Sequence, residues 1–180
     1  LLGLAGPNIQ TNVENVPNIR GLASTFGLNY IPGTWIQSID IIKGIGSVVN
    51  GYENIGGAIN VELKKPDISE KLLLNIYTNN FGRAEVNINT AKKINKYWSV
   101  GLLSHGSRMN SKIDNNKDGF LDLPKFHQIN ILNRWKYLSD KLSFQIGING
   151  LQESRIGGQN NFESRNITPQ LYGFTNNTKK

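Results

Sequence analysis

The chain has 180 residues, no cysteine, and 20 lysines and arginines against 13 aspartates and glutamates, for a formal charge of +7. The lack of cysteine excludes disulfide scaffolds, thiol catalysis and cysteine-based zinc sites together. No run approaches the ~18 apolar residues of a membrane-crossing helix, so any crossing must be made by strands.

The positive charge raises nucleic acid as a partner. The basic residues, however, stand singly or in short sets (Lys64-Lys65, Lys92-Lys93, Lys179-Lys180) at predicted strand ends and turns. No face collects them with aromatics and no nucleic-acid-binding signature is present, so nucleic acid is not expected. Lipopolysaccharide phosphates or anionic ligands are the alternative partners for such charge. The chain opens at Leu1 with no leader pattern and closes on a polar run with no predicted strand, so both ends are expected to be cut points.

In chain order, the first third carries Pro17-Asn-Ile-Arg20-Gly21-Leu22, then a predicted strand over 39–43, a glycine-studded turn and a second strand over 57–64. Gly44, Gly46, Gly51, Gly56 and Gly57 punctuate a stretch otherwise rich in Ile and Val. Glycine there supplies positive-φ turns or lets another backbone come close. A phosphate cradle is the rival explanation. After Gly44-Ile-Gly46 the third glycine of a dinucleotide fingerprint is missing, and the next element is a strand rather than a helix. The glycines are therefore structural.

The order and spacing of Lys43-Gly44, Ser47, Gly51-Tyr52, Gly56-Gly57-x-Ile59-Asn60 and Lys64-Lys65-Pro66 resemble the last part of the plug domain of TonB-dependent outer-membrane receptors. Arg20-Gly21 resembles the Ile-Arg-Gly element of such plugs. The resemblance covers roughly the first third of the chain. It implies an α+β plug remnant at 1–66, with Arg20, Gly21, Lys43, Gly44, Gly51, Gly56, Gly57 and Asn60 as its structural positions. It also implies that Arg20 lies in the lumen with partners that sequence does not name. Tyr30, Trp35 and the loop over 24–34 either reach the ligand side or pack against the wall.

Pro66-Asp67-Ile68-Ser69 is a breaker cluster and the expected domain boundary. Beyond it, five segments alternate with period two: 70–78, 83–91, 97–107, 127–137 and 141–151. Long, even segments of this kind suit a transmembrane β-barrel better than a sandwich, whose strands are nearer ~5–6 residues. Trp98 opens the third segment while Trp135 and Tyr137 close the fourth, so a meander brings all three to one rim of the apolar face. Leu73, Leu103 and Leu132 fall on the opposite face. The predicted turns at 92–96 and 138–140 are short, whereas 108–126 and everything after Gln152 read as long loops. With a plug entering from the periplasm, the short turns are periplasmic and the long connections external, apart from a tight external loop at 79–82.

The loop Asp114-Asn-Asn116-Lys-Asp118-Gly119-Phe120-Leu-Asp122 matches much of a calcium-binding pattern, with oxygen ligands at alternate positions and glycine at the bend. Asp114, Asn116 and Asp118 would ligate by side chain, Phe120 by its carbonyl, and Asp122 directly or through water. The twelfth position is Lys125 rather than a bidentate glutamate, and a plain polar turn explains the same residues. His105 and His127, which flank the loop, read as ordinary polar positions rather than a metal or haem pair. No catalytic constellation appears, so the chain is not expected to be an enzyme.

The expected fold is thus all-β, a plug remnant followed at 67–180 by antiparallel strands of an incomplete 22-stranded plugged barrel. The resemblance implies import of a scarce or bulky ligand (ferric siderophore, haem, cobalamin or oligosaccharide) across the outer membrane of a Gram-negative bacterium. Its implied partners are the inner-membrane TonB energy-transducing complex and outer-membrane lipid and lipopolysaccharide. The alternative is a secreted or surface β-sandwich that binds calcium or glycan without transport.

Overall fold

Period-two alternation becomes a sequential antiparallel meander in the second part of the chain, and a smaller mixed sheet forms from the glycine-rich first part. The computed structural model describes residues 9–18, 27–44, 56–163 and 170–180, within two compact units, Leu1–Ile68 and Ser69–Lys180. The break falls inside the Pro66–Ser69 breaker cluster.

In the first unit β1 (Ile9–Val13), β2 (Val16–Pro17), β3 (Ile36–Lys43) and β4 (Gly57–Leu63) form a sheet in the order β2-β1-β4-β3. β1 runs parallel to β4, and the other pairs are antiparallel. Glu14 and Asn15 make the β1–β2 turn at φ of 53° and 65°. Both central residues at positive φ match the right-handed twist of a two-residue hairpin. Asn60 secures this turn, since its Oδ1 accepts from the Asn15 amide at 2.8 Å while the Glu14 amide donates to the Val61 carbonyl at 3.0 Å. Lys65 Nζ reaches Glu14 at 2.5 Å and Glu62 at 2.9 Å. Ala58, Val61 and Leu63 of β4 are buried, as are Tyr30 and Trp35. β3, by contrast, is exposed along almost its whole length, Ile39, Ile41 and Ile42 included.

One expectation for this part changes: no α-helix occurs among the described residues, whose only helical turns are 3-10, so the described part of the first unit is all-β rather than α+β. Of the two placements left open for Tyr30 and Trp35, their exposure of 3% and 1% favours packing. Arg20, Gly21 and Gly51 lie outside the described residues.

The second unit is a six-stranded sheet of consecutive neighbours: β5 (Leu72–Thr78), β6 (Arg83–Lys93), β7 (Trp98–Met109), β8 (Lys125–Leu138), β9 (Ser143–Gly158) and β10 (Gly173–Lys179). Five strands were expected, with a loop from Gln152 onward. The structure instead continues β9 to Gly158 and pairs β10 with it, from Gly173↔Gly158 to Lys179↔Gln152. The reason is compositional: Gly-Phe-Thr-Asn-Asn-Thr-Lys is polar on both faces and gives no alternation to read. β7, β8 and β9 have 12, 14 and 16 residues. That exceeds the ~9–11 residues that a tilted strand needs to cross a bilayer. Neither sheet closes on itself; β5 and β10 are open edges, so these residues alone are not a closed barrel.

Candidate functional site

The six-stranded sheet is built inside out. Its buried face is polar: Asn87, Asn89, Ser99, His105, Ser107, Gln128, Asn130, Arg134, Glu153 and Arg155 are all buried. Its exposed face carries the large apolar side chains, with Leu72, Leu74, Ile76, Val86, Ile88, Ile129, Ile131, Ile146 and Ile148 between 44% and 74% exposed. A sheet in water does the reverse, because burying unpaired polar groups costs free energy and burying apolar surface returns it. The arrangement becomes favourable only where the medium outside is itself apolar. Leu73, Leu103 and Leu132 occupy one register row of the buried face, beside Asn89 and Asn149. They form an apolar patch within a polar wall.

At one end of the exposed face the register brings Trp98, Tyr137 and Phe144 into a single row. Trp98 meets Tyr137 edge-on at 5.2 Å and Phe144 at 5.5 Å, while Trp135 approaches Trp98 at 6.5 Å. Tyr97 adds a contact with Tyr137 at 5.9 Å. Tryptophan and tyrosine combine an apolar body with a polar tip, which suits a boundary between hydrocarbon and water. This end carries the short connections at 94–97 and 139–142.

At the opposite end of the buried face, five residues that sequence reading did not single out form a charged cluster. Arg155 donates to Glu153 Oε1 through Nε at 3.1 Å and also through Nη2, and Arg83 pairs with Glu85. Both guanidinium groups lie over the Phe126 ring, at 5.7 Å for Arg83 and 5.1 Å for Arg155. Cation–π attraction strengthens when the partners are desolvated. Arg155 and Glu153 are buried, whereas the Arg83 side chain is 44% exposed. The readable signal was the Glu153-x-Arg155 spacing, which puts both on one face of a strand, but only once β9 is known to continue past Gln152. His105 sits one row below, bonded through Nδ1 to Asn87 at 2.8 Å and through Nε2 to Ser107 at 3.0 Å. His127 is exposed on the other face, so the two histidines do not converge.

The loop 110–124 folds around its own carboxylates. Asp114 accepts from the amides of Asp118 at 3.1 Å and Gly119 at 3.0 Å, Asp118 from Phe120 at 2.8 Å, and Asp122 from Asn115 at 2.8 Å. Asn116 donates to Asp118 at 2.9 Å. Among the described residues no group of three His, Cys, Asp or Glu is placed to hold a metal ion. The loop is also tied to the connection between β9 and β10: Asn160 Nδ2 donates to Asp114 Oδ2 at 2.6 Å, its amide to the Gly119 carbonyl at 2.8 Å, and Leu121 to the Gly158 carbonyl at 2.8 Å. Asp114→Ala removes three acceptor contacts at once. The expected outcome is faster hydrogen exchange at the Asp118 and Gly119 amides, which lose their acceptor, with the strands below unchanged.

Glycine is required where this second connection turns. Gly158 has φ of +116°, and a Cβ there would lie 2.3 Å from Gly173 Cα and 2.5 Å from the Tyr172 carbonyl oxygen, both backbone atoms. Gly158→Ala is expected to destabilise the β9–β10 pair by about 1–2 kcal/mol or more. Limited proteolysis within 159–172 would read this as earlier cleavage than in the unmodified protein.

Of the plug-like positions, Lys43 faces Gly57 at the open end of the β3–β4 ladder, and Gly44 follows at φ of +88°. Gly56 and Gly57 are buried at the start of β4, and Asn60 holds the β1–β2 turn.

No protein-family model matches the chain, and no curated protein matches it in sequence. In structure it is similar to the crystal structure of the siderophore receptor PirA from Acinetobacter baumannii, with 16% identity, a TM-score of 0.56 and coverage of 88% of this chain and 25% of that one. The chain therefore spans about a quarter of that receptor's length, and at this identity the likeness is one of fold.

Proposed function

We propose that this chain is part of a TonB-dependent outer-membrane receptor, with the first unit as the later part of its plug and the second as a run of barrel wall. The inside-out sheet carries the reading: apolar rows exposed, polar rows buried, and a Trp-Tyr-Phe rim at the short-turn end. The fold likeness to a siderophore receptor and the plug-like glycine spacing support the same reading from other directions. The function is import of a scarce or bulky ligand, of which a ferric siderophore is the example favoured by the structural neighbour. The TonB complex supplies the energy from the periplasmic side. The chain performs no catalysis in this reading.

The sandwich alternative requires an apolar face toward a second sheet and a polar face toward water, and the exposed Ile and Leu rows speak against it. Fractionation of the full-length gene product tests the proposal, together with its gel mobility before and after heating. The expected result is an outer-membrane protein whose mobility changes on heating. A soluble product with heat-invariant mobility would overturn it.

A further inference from the structure

Lysines that stand apart in the sequence are gathered by the meander at the short-turn end of the six-stranded sheet. Lys93, Ser99, Lys136 and Gln145 form one register row on the polar face. Lys93 and Lys136 are thus two strands apart, about 10 Å. Lys92 lies on the apolar face, in the row of Val100 and Trp135. Lys96 and Lys141 stand in the connections 94–97 and 139–142, beyond the Trp98–Tyr137–Phe144 row. Lys71, whose carbonyl accepts the Ala91 amide, precedes β5 at the same end. All of these are exposed except Lys136, which is half-buried.

Little opposes this charge. Glu70 and Asp140 are the carboxylates that the second unit places beside these six lysines. Lys71, Lys92, Lys93 and Lys141 enter no ion pair among the described residues. The exposed cations here are all lysine; Arg83, Arg108 and Arg155 lie at the loop end, and Arg134 is buried and bonded to Gln145 at 2.9 Å.

A lipid headgroup beside the wall meets the apolar face, where Lys92 alone stands. The others flank the polar face or cap the turns. A partner that meets them all therefore approaches along the strand axes, from the aqueous side. Short turns offer it no cleft, so recognition is by charge without shape, which suits a repeating polyanion. Lysine is a mobile point charge that follows scattered carboxylates, whereas arginine's planar fork suits phosphate.

We infer that this end of the wall binds the carboxylate-bearing peptide stems of peptidoglycan, the anionic polymer beneath the outer membrane. The inference goes beyond import and rests on the membrane reading above, in which the short turns are periplasmic. The contact holds the receptor against the wall polymer.

The test sediments the full-length gene product, in phosphatidylcholine nanodiscs, with purified peptidoglycan sacculi freed of protein. Lys93→Gln, Lys96→Gln and Lys141→Gln together are expected to weaken binding roughly tenfold to hundredfold, the scale of three cations lost beside an anionic surface. Arg108→Gln at the loop end is expected to leave binding unchanged. Sacculi whose carboxylates have been amidated should not bind the unmodified protein, and raised salt should weaken binding to untreated sacculi. Equal sedimentation of the triple variant and the unmodified protein would overturn the inference, as would undiminished binding to amidated sacculi. Loss of binding in phosphatidylglycerol nanodiscs assigns the lysines to lipid headgroups and overturns it too. So does binding confined to sacculi that retain their proteins, which indicates a protein partner. Should the triple variant lose its heat-modified band, the single variants decide, and three without effect contradict the site. A gene product absent from the outer-membrane fraction sinks the receptor reading. An outer-membrane protein indifferent to these substitutions sinks only this inference.

Discussion

Replacing Ile131 by arginine is expected to destabilise the full-length protein in lipid vesicles by about 2–4 kcal/mol, the range for a cation at the lipid-facing midplane of a membrane barrel. Ile131 is 45% exposed in the middle of the apolar band, between the rows of Ile129 and of Leu102 and Ile148. On a water-facing sheet the same change at a half-exposed position would usually fall within about 0.5 kcal/mol of zero. Asn177→Arg, in the row of Arg108 and Ser154, is the companion measurement and is expected to change stability by no more than about 1 kcal/mol. Denaturant titration by tryptophan fluorescence reads both variants. Equal, small effects at the two positions would mean that the apolar rows face water.

Glu153→Ala carries the second large effect. Glu153 is 1% exposed and Arg155 7%, and Arg155 gives two donors to the same carboxylate oxygen. Removing the carboxylate takes away the acceptor of two donors of the buried Arg155 guanidinium, a change expected to cost about 3–5 kcal/mol. Replacing both residues by methionine removes the charge with its partner and is expected to recover much of that loss. Glu153 Oε2 and Nε2 of its register partner Gln128 are buried without hydrogen-bond partners in the structure, so the pair does not satisfy every polar group in its row. A double-mutant cycle on stability separates the coupling from the individual losses. If the single and double variants lose the same amount, Glu153 and Arg155 do not stabilise each other.

Legibility followed physical contrast along the chain. β6 and β8 could be read because Val86-x-Ile88 and Ile129-x-Ile131 alternate against Asn87, Asn89, Gln128 and Asn130, and their faces were assigned correctly from that alone. The aromatic row was readable because register in a meander follows from short turns, and Trp98 and Tyr137 flank nearly equal strands. β10 could not be read: Thr-Asn-Asn-Thr carries no period of apolar residues. The same blindness hid the Arg83–Phe126–Arg155 cluster, which exists only once β9 is continued to Gly158. Leu103 and Leu132 ran against the alternation: both are buried among the polar residues of that face, which makes the buried face less regular than the exposed one. The aspartate loop showed its residues but not the bonds within it, since side-chain-to-amide contacts such as those of Asp114, Asp118 and Asp122 carry no period along a strand.

The most direct measurement places a nitroxide label in turn at each position from 126 to 137 of the full-length protein in a lipid bilayer, a clean experiment for this segment because the chain has no native cysteine. Oxygen, which partitions into lipid, is expected to reach positions 129, 131, 133 and 135 preferentially. The intervening positions should be shielded from it. Equal or greater access of a water-soluble relaxation agent to 129, 131 and 135 would show that these side chains meet water, and the membrane account would fail.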